Sequence, residues 1–158
     1  MQQAYVDIMI QSLKKKVQIL DRIIDLNKIQ KSQLEDTKSS PDEFDKTVEE
    51  KAALIEQLEQ LDSGFDKLYE RVKTELRNHK TLYAGKIKIM QEYIRFITDK
   101  SIEIQAQEAR NRELMTQKFA SIRQKAKNMR TNTKAVNKYY KNMMQLNYVA
   151  PQFLDNKK

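Results

Sequence analysis

Only two glycines, Gly64 and Gly85, and two prolines, Pro41 and Pro151, interrupt a chain of 158 residues. A sandwich, a barrel or an alternating strand–helix fold needs many tight turns, and tight turns draw on Gly, Pro and Asn. A phosphate-cradling loop needs several glycines where backbone approaches the anion, so the same scarcity excludes it. What remains is helix in long, uninterrupted runs.

Three such runs are legible from the spacing of apolar residues. In the first, about 4–36, Ile10, Leu13, Val17, Leu20 and Ile24 alternate three and four apart. Ile19, Ile23 and Leu26 widen that stripe beyond a two-stranded seam, which suits a bundle. The second, 41–83, carries Leu54, Leu58, Leu61, Phe65, Leu68 and Val72, with Leu76 and Leu82 extending the row. Its start is marked by Ser40-Pro41-Asp42-Glu43, which predicts a capping box with proline at the first helical position. Gly64 falls inside the second stripe without breaking its period, so it reads as helical. A reversal is expected within 78–86, with one continuous helix through that point as the alternative.

The third run, 86–146, holds Ile87, Met90, Ile94, Ile97, Ser101 and Ile104 in a heptad register that the polar Glu108 and Asn111 continue. Met115, Phe119, Ile122, Met129, Val136, Tyr140 and Met143 resume it after a stutter, where Asn111, Met115 and Phe119 stand four apart. The expectation is an all-α fold: an elongated antiparallel bundle or coiled coil of about three long helices, in a single domain over 1–146, with a tail at 147–158. At about 1.5 Å per residue the third helix would outrun the second by roughly 25 Å. The surplus stripe must then bend back onto the bundle, form a homodimer, or bind another helix.

Chemistry is sparse. There is no Cys and only one His, His79, so thiolate sites, disulfides and paired imidazoles are excluded. Glu49, Glu50, Glu56 and Glu59 read as solvated helix faces. No nucleophile–base pair is visible, and the expectation is no enzyme, no catalytic residue, no cofactor and no metal. No stretch approaches the ~20 apolar residues that cross a bilayer. With no recognisable signal segment, the chain reads as cytoplasmic, without membrane insertion.

Charge is uneven. The formal net charge is +8. Residues 1–83 carry 14 basic and 16 acidic side chains, whereas 84–158 carry 16 and 6. From Leu114 to Leu154 there is no acid at all, while Lys118, Arg123, Lys125, Lys127, Arg130, Lys134, Lys138 and Lys141 accumulate around Tyr139 and Tyr140. A basic coiled coil that binds nucleic acid, or a structural coiled coil, is the alternative reading. Against nucleic acid, the lysines lie opposite the apolar stripe, as on any solvated helix, and no recognition-helix pattern is present.

Several segments resemble the FlgN/FliT-type flagellar protein family. Phe44 to Arg71 resembles its second helix. Gln105-Ala106-Gln107-Glu108-Ala109-Arg110-Asn111, Lys138-Tyr139-Tyr140-Lys141 and Pro151-Gln152-Phe153-Leu154-Asp155-Asn156-Lys157-Lys158 resemble the later part of FlgN-like members from Gram-positive flagellated bacteria. The resemblance implies a cytoplasmic chaperone of flagellar type III export, which binds the hook–filament junction proteins FlgK and FlgL and delivers them to the export gate protein FlhA. It implies cargo contacts in the C-terminal amphipathic helix. The matching stripe here is Met115, Phe119, Ile122, Met129, Val136, Tyr140 and Met143. It also implies gate docking through a C-terminal tyrosine, matched here by Tyr139 or Tyr140. The length of the chain favours the FlgN side over the shorter FliT-like proteins that serve the filament cap.

Overall fold

A computed structural model describes residues 2–118 and 130–142. Three long helices, α1 (Gln2–Glu35), α2 (Pro41–Asn78) and α3 (Lys80–Lys118), are followed by a shorter helical segment, α4, at 130–142. Every described element is α-helical, as the scarcity of turn residues demands.

The α1–α2 connection follows from local chemistry. Ser40 is extended, with φ −77° and ψ 136°, and its side chain accepts a bond from the Asp42 N–H at 3.1 Å. The cap therefore serves the second N–H of the helix, one position earlier than the capping box would place it. Pro41 follows at the first helical position, where its missing N–H costs nothing. Lys118 Nζ donates to Gln33 O, Asp36 O and Ser39 Oγ at 2.6–2.9 Å. One lysine of the basic run thus ties the end of α3 to the carbonyl end of α1, where cations are favoured.

Two expected boundaries are corrected. The second helix ends at Asn78 rather than 83, and the third starts at Lys80 rather than 86. His79 alone leaves the helical region, with φ −127° and ψ 45°. Its N–H closes α2 on Glu75 O at 3.0 Å, and its carbonyl opens α3 by accepting from Tyr83 N–H at 3.2 Å. His is a weak helix former, and the break falls on His79 while Gly85 stays helical. Leu82 consequently belongs to α3 and is 64% exposed, instead of extending the α2 core row.

Cross-chain bonds fix the directions. Lys16–Asp62, Arg22–Glu50 and Gln30–Thr47 make α1 and α2 antiparallel. Lys86–Asp7, Lys100–Asp21 and Asn111–Asn27 make α3 parallel to α1. α1 packs along both neighbours, whereas α2 and α3 barely meet. The third correction concerns 86–146, expected as one helix. Thr133 and Val136 line the same cavity as Met115 and Asn111, and Arg130 and Lys134 share a shallow groove with Arg112 and Thr116. On a continuous helix Met115 and Thr133 would be about 27 Å apart. α4 therefore runs back along α3, parallel to α2, and covers the face that α2 and α3 leave open.

The core is built from rows seven residues apart. Val6, Leu13, Leu20, Asn27 and Leu34 are buried on α1; Phe44, Lys51, Leu58, Phe65 and Val72 on α2; Tyr83, Met90, Ile97, Ile104 and Asn111 on α3. Each row is a heptad stripe, and each contains a single polar residue: Asn27, Lys51 and Asn111.

Candidate functional site

Those three polar residues meet at one level. Asn111 Nδ2 donates to Asn27 O at 2.9 Å, and Asn27 Nδ2 donates to Gln107 Oε1 at 3.0 Å. Lys51 Nζ donates to Gln30 Oε1 at 3.0 Å and forms an ion pair with Glu108. Gln30 Nε2 in turn donates to Thr47 Oγ1 at 3.0 Å, and Thr47 to Phe44 O at 2.6 Å. Burial pushes the Lys51 ammonium below the ordinary lysine value, and the Glu108 carboxylate holds it part of the way up. Buried polar groups must be paired to be tolerated, and this layer pairs most of its own across α1, α2 and α3.

Beside the layer is a cavity of about 130 Å³. Its apolar wall includes Phe44, Val48, Ile55 and Met115, its polar wall Lys51, Glu108 and Asn111, and its α4 side Thr133, Ala135 and Val136. Small side chains on α4 leave the groove incompletely filled. Asn111 Oδ1 and Tyr140 OH have no hydrogen-bond partner among the described residues.

Further along α4, Tyr139 and Tyr140 pack edge to face, with ring centroids 5.2 Å apart at 77°. Tyr139 OH donates to Asp62 Oδ2 at 2.9 Å, while Lys16 Nζ donates to Asp62 Oδ1 at 2.6 Å. One carboxylate thereby joins α1, α2 and α4. Burial lowers the Lys16 ammonium, opposed by the negative charge of Asp62. Burial also raises both phenols, reinforced by Asp62 at Tyr139 and by Glu108 at Tyr140.

The expected cargo stripe is thus placed in part. Met115, Val136 and Tyr140 are buried in the bundle, as is Tyr139. Phe119, Ile122, Met129 and Met143 lie outside the described residues. Both candidate gate-docking tyrosines are covered, at 5% and 0% exposure. The solvated carboxylates Glu49, Glu50, Glu56 and Glu59 are exposed, as read from the sequence. The sequence reading passed over Lys51, Lys16 and Asp62. Lys51 was findable, because it stands seven residues from both Phe44 and Leu58.

No described helix is long and apolar enough to cross a membrane. The described residues form an all-helical bundle whose last described helix covers the open side of the other three through small and aromatic residues. The model of the FlgN protein family matches residues 1–147, and the chain belongs to that family, one of flagellar export chaperones. Comparison with curated proteins and with solved structures gives no match.

Proposed function

We propose that this chain is a cytoplasmic chaperone of flagellar type III export. It holds the junction proteins FlgK and FlgL through the stripe that includes Met115, Phe119, Ile122, Met129, Val136, Tyr140 and Met143, and it hands them to the gate protein FlhA. The observation that carries this reading is the position of α4. Its apolar face is occupied by the chain's own α2 and α3, over a cavity and a buried ion pair. A buried ion pair contributes little net stability, and water recovers its hydration when the cover lifts. Release of α4 therefore forfeits little at the ion pair. It exposes Val136, Tyr139 and Tyr140, whose burial against a cargo helix offsets that cost, and the freed stripe offers the spacing of three and four that such a helix recognises.

Arg130, Lys134, Lys138 and Lys141 are exposed along α4 and would steer an acidic cargo, acting on the association rate more than on affinity. Tyr139 and Tyr140 become accessible only with the same release, so cargo loading and gate docking are coupled in this reading. Co-expression with FlgK or FlgL tests it. A stable complex with at least one supports the reading, and no complex with either, both being folded, removes it. Phe119→Asp and Val136→Asp then map the face: each lowers cargo affinity, and unchanged binding in both puts the site elsewhere.

A further inference from the structure

α3 has two apolar faces. One row, Tyr83, Met90, Ile97 and Ile104, is buried against α1. Immediately beside it runs Leu82, Ile89 and Phe96, again seven apart, with exposures of 64%, 43% and 52%. At 100° per residue these three side chains fall within about 40° of one another, and half-buried Tyr93 sits between Ile89 and Phe96 on the same side. Scattered exposed apolar residues need no explanation, but a heptad row does.

The flanks of this row differ. On the α1 side, Lys86–Asp7 and Lys100–Asp21 close at 2.7 and 2.6 Å, each spanning 79 residues. Midway between them, level with Tyr93, stands Lys14, exposed and without an ion pair among the described residues. On the outer side, turned about 60° from the row, stand Glu92 and Asp99, exposed and also without an ion pair there. Lys88 and Arg95 lie further round, off the seam.

We propose that this face pairs with the same face of a second copy of the chain, with the two α3 helices parallel. Parallel in-register pairing stacks Leu82, Ile89 and Phe96 each on its own counterpart, which is what a seven-residue spacing permits. A two-fold axis along the bundle sets the α1 flank of one copy against the outer flank of the other. Lys14 then faces the partner's Glu92, twice per dimer. Antiparallel pairing would set like flank on like flank, Lys14 toward the other lysine and Glu92 toward the other glutamate. The row spans only about 20 Å of helix, so the dimer sits at the small end of specific interfaces and is reversible, with Kd in roughly the micromolar range. This surface is separate from α4 and does not depend on the cargo reading.

The chain has no cysteine, which makes an introduced thiol unique. Sedimentation of the full chain across concentration should show a monomer–dimer equilibrium. Phe96→Asp should weaken it by roughly a hundredfold, because two side chains are lost per dimer, while thermal melting of the monomer stays unchanged. Under mild oxidation, Leu82→Cys alone and Phe96→Cys alone should each give disulfide dimers. A monomer at every concentration overturns the proposal, as does a dimer indifferent to Phe96→Asp. Crosslinking only when the Leu82→Cys and Phe96→Cys proteins are mixed also overturns it, since that marks antiparallel pairing.

Discussion

The phenol of Tyr139 donates a 2.9 Å hydrogen bond to the Asp62 carboxylate, which accepts at 2.6 Å from Lys16 on its other oxygen. This contact fastens α4 to a charge that is satisfied without it. If α4 leaves, Asp62 keeps Lys16 and gains water, so the bond adds to the docking of α4 without leaving a charge unpaired when it departs. Tyr139→Phe keeps the ring and its packing on Tyr140 and removes only the bond. The expected loss is about 1–2 kcal/mol, in the range for a bond to a charged acceptor. It should fall on the docking of α4: hydrogen exchange in 130–142 accelerates, while α1–α3 keep their protection. Uniform acceleration across all four helices would mean that α4 does not open separately. In the chaperone reading, the same variant binds cargo about tenfold more tightly, because less of the binding free energy goes into undocking.

The Lys51–Glu108 pair makes a different prediction, because both partners are buried. Lys51→Met strands a carboxylate, and Glu108→Leu strands an ammonium. Each single change should cost about 3–5 kcal/mol in denaturant unfolding, whereas the double change, apolar on both sides, should recover most of it. The recovery is the informative part. If the double variant is as unstable as the worse single, the pair carries net stability and α4 does not rest on an energetically neutral layer.

That layer also shows what could be read from the sequence. The rows Val6–Leu34, Phe44–Val72 and Tyr83–Asn111 repeat every seven residues, and one buried face per helix follows from them. Glu108 and Asn111 stand as polar residues within the apolar register of the third run. In the bundle they meet Lys51 and Asn27, polar interruptions of two other rows, and the four together fix how the helices align. Single-helix periodicity cannot show that coincidence, because it depends on how far each helix slides along its neighbour. The break at His79 was bracketed but not placed, since apolar spacing runs across it. The return of α4 was one of three ways to cover a surplus stripe. Choosing among them depends on contacts such as Tyr139–Asp62 that join residues far apart in the chain.

Gly64 and Gly85 lie inside helices, and a Cβ built on either meets nothing within 4 Å. Neither has a positive φ. Gly64→Ala and Gly85→Ala should therefore each stabilise the bundle by about 0.5–1 kcal/mol, through the restricted unfolded chain and better helix propensity. As the two sit on different helices, their effects should add within a few tenths of a kcal/mol. Denaturant midpoints that fall in either variant would show that the glycine meets something the monomer does not contain.

Tyr140 gives a test that separates burial from bonding. Its hydroxyl has no hydrogen-bond partner among the described residues, and burial, then the nearby Glu108 charge, raises its phenol above the ordinary value. A group whose folded value is raised contributes stability that is full below the unfolded value near 10 and is lost as pH climbs toward the folded one. Above pH about 10 the unfolded chain releases the Tyr140 proton and the folded chain keeps it. Stability should then fall by about 1.4 kcal/mol per pH unit from this residue. Tyr139 behaves likewise, raised by burial and by Asp62. Lys16 and Lys51 are shifted the other way by burial, so their effect runs upward with pH and ends near 10.5. Tyr140→Phe should cost little at neutral pH, because it removes a buried hydroxyl that has no bond to lose. Above pH about 10 the variant should lose stability less steeply than the parent, by the slope of one proton. Parallel curves for the two proteins over that range would show that Tyr140 ionises as readily in the folded chain as in the unfolded one, and that α4 does not keep it from water.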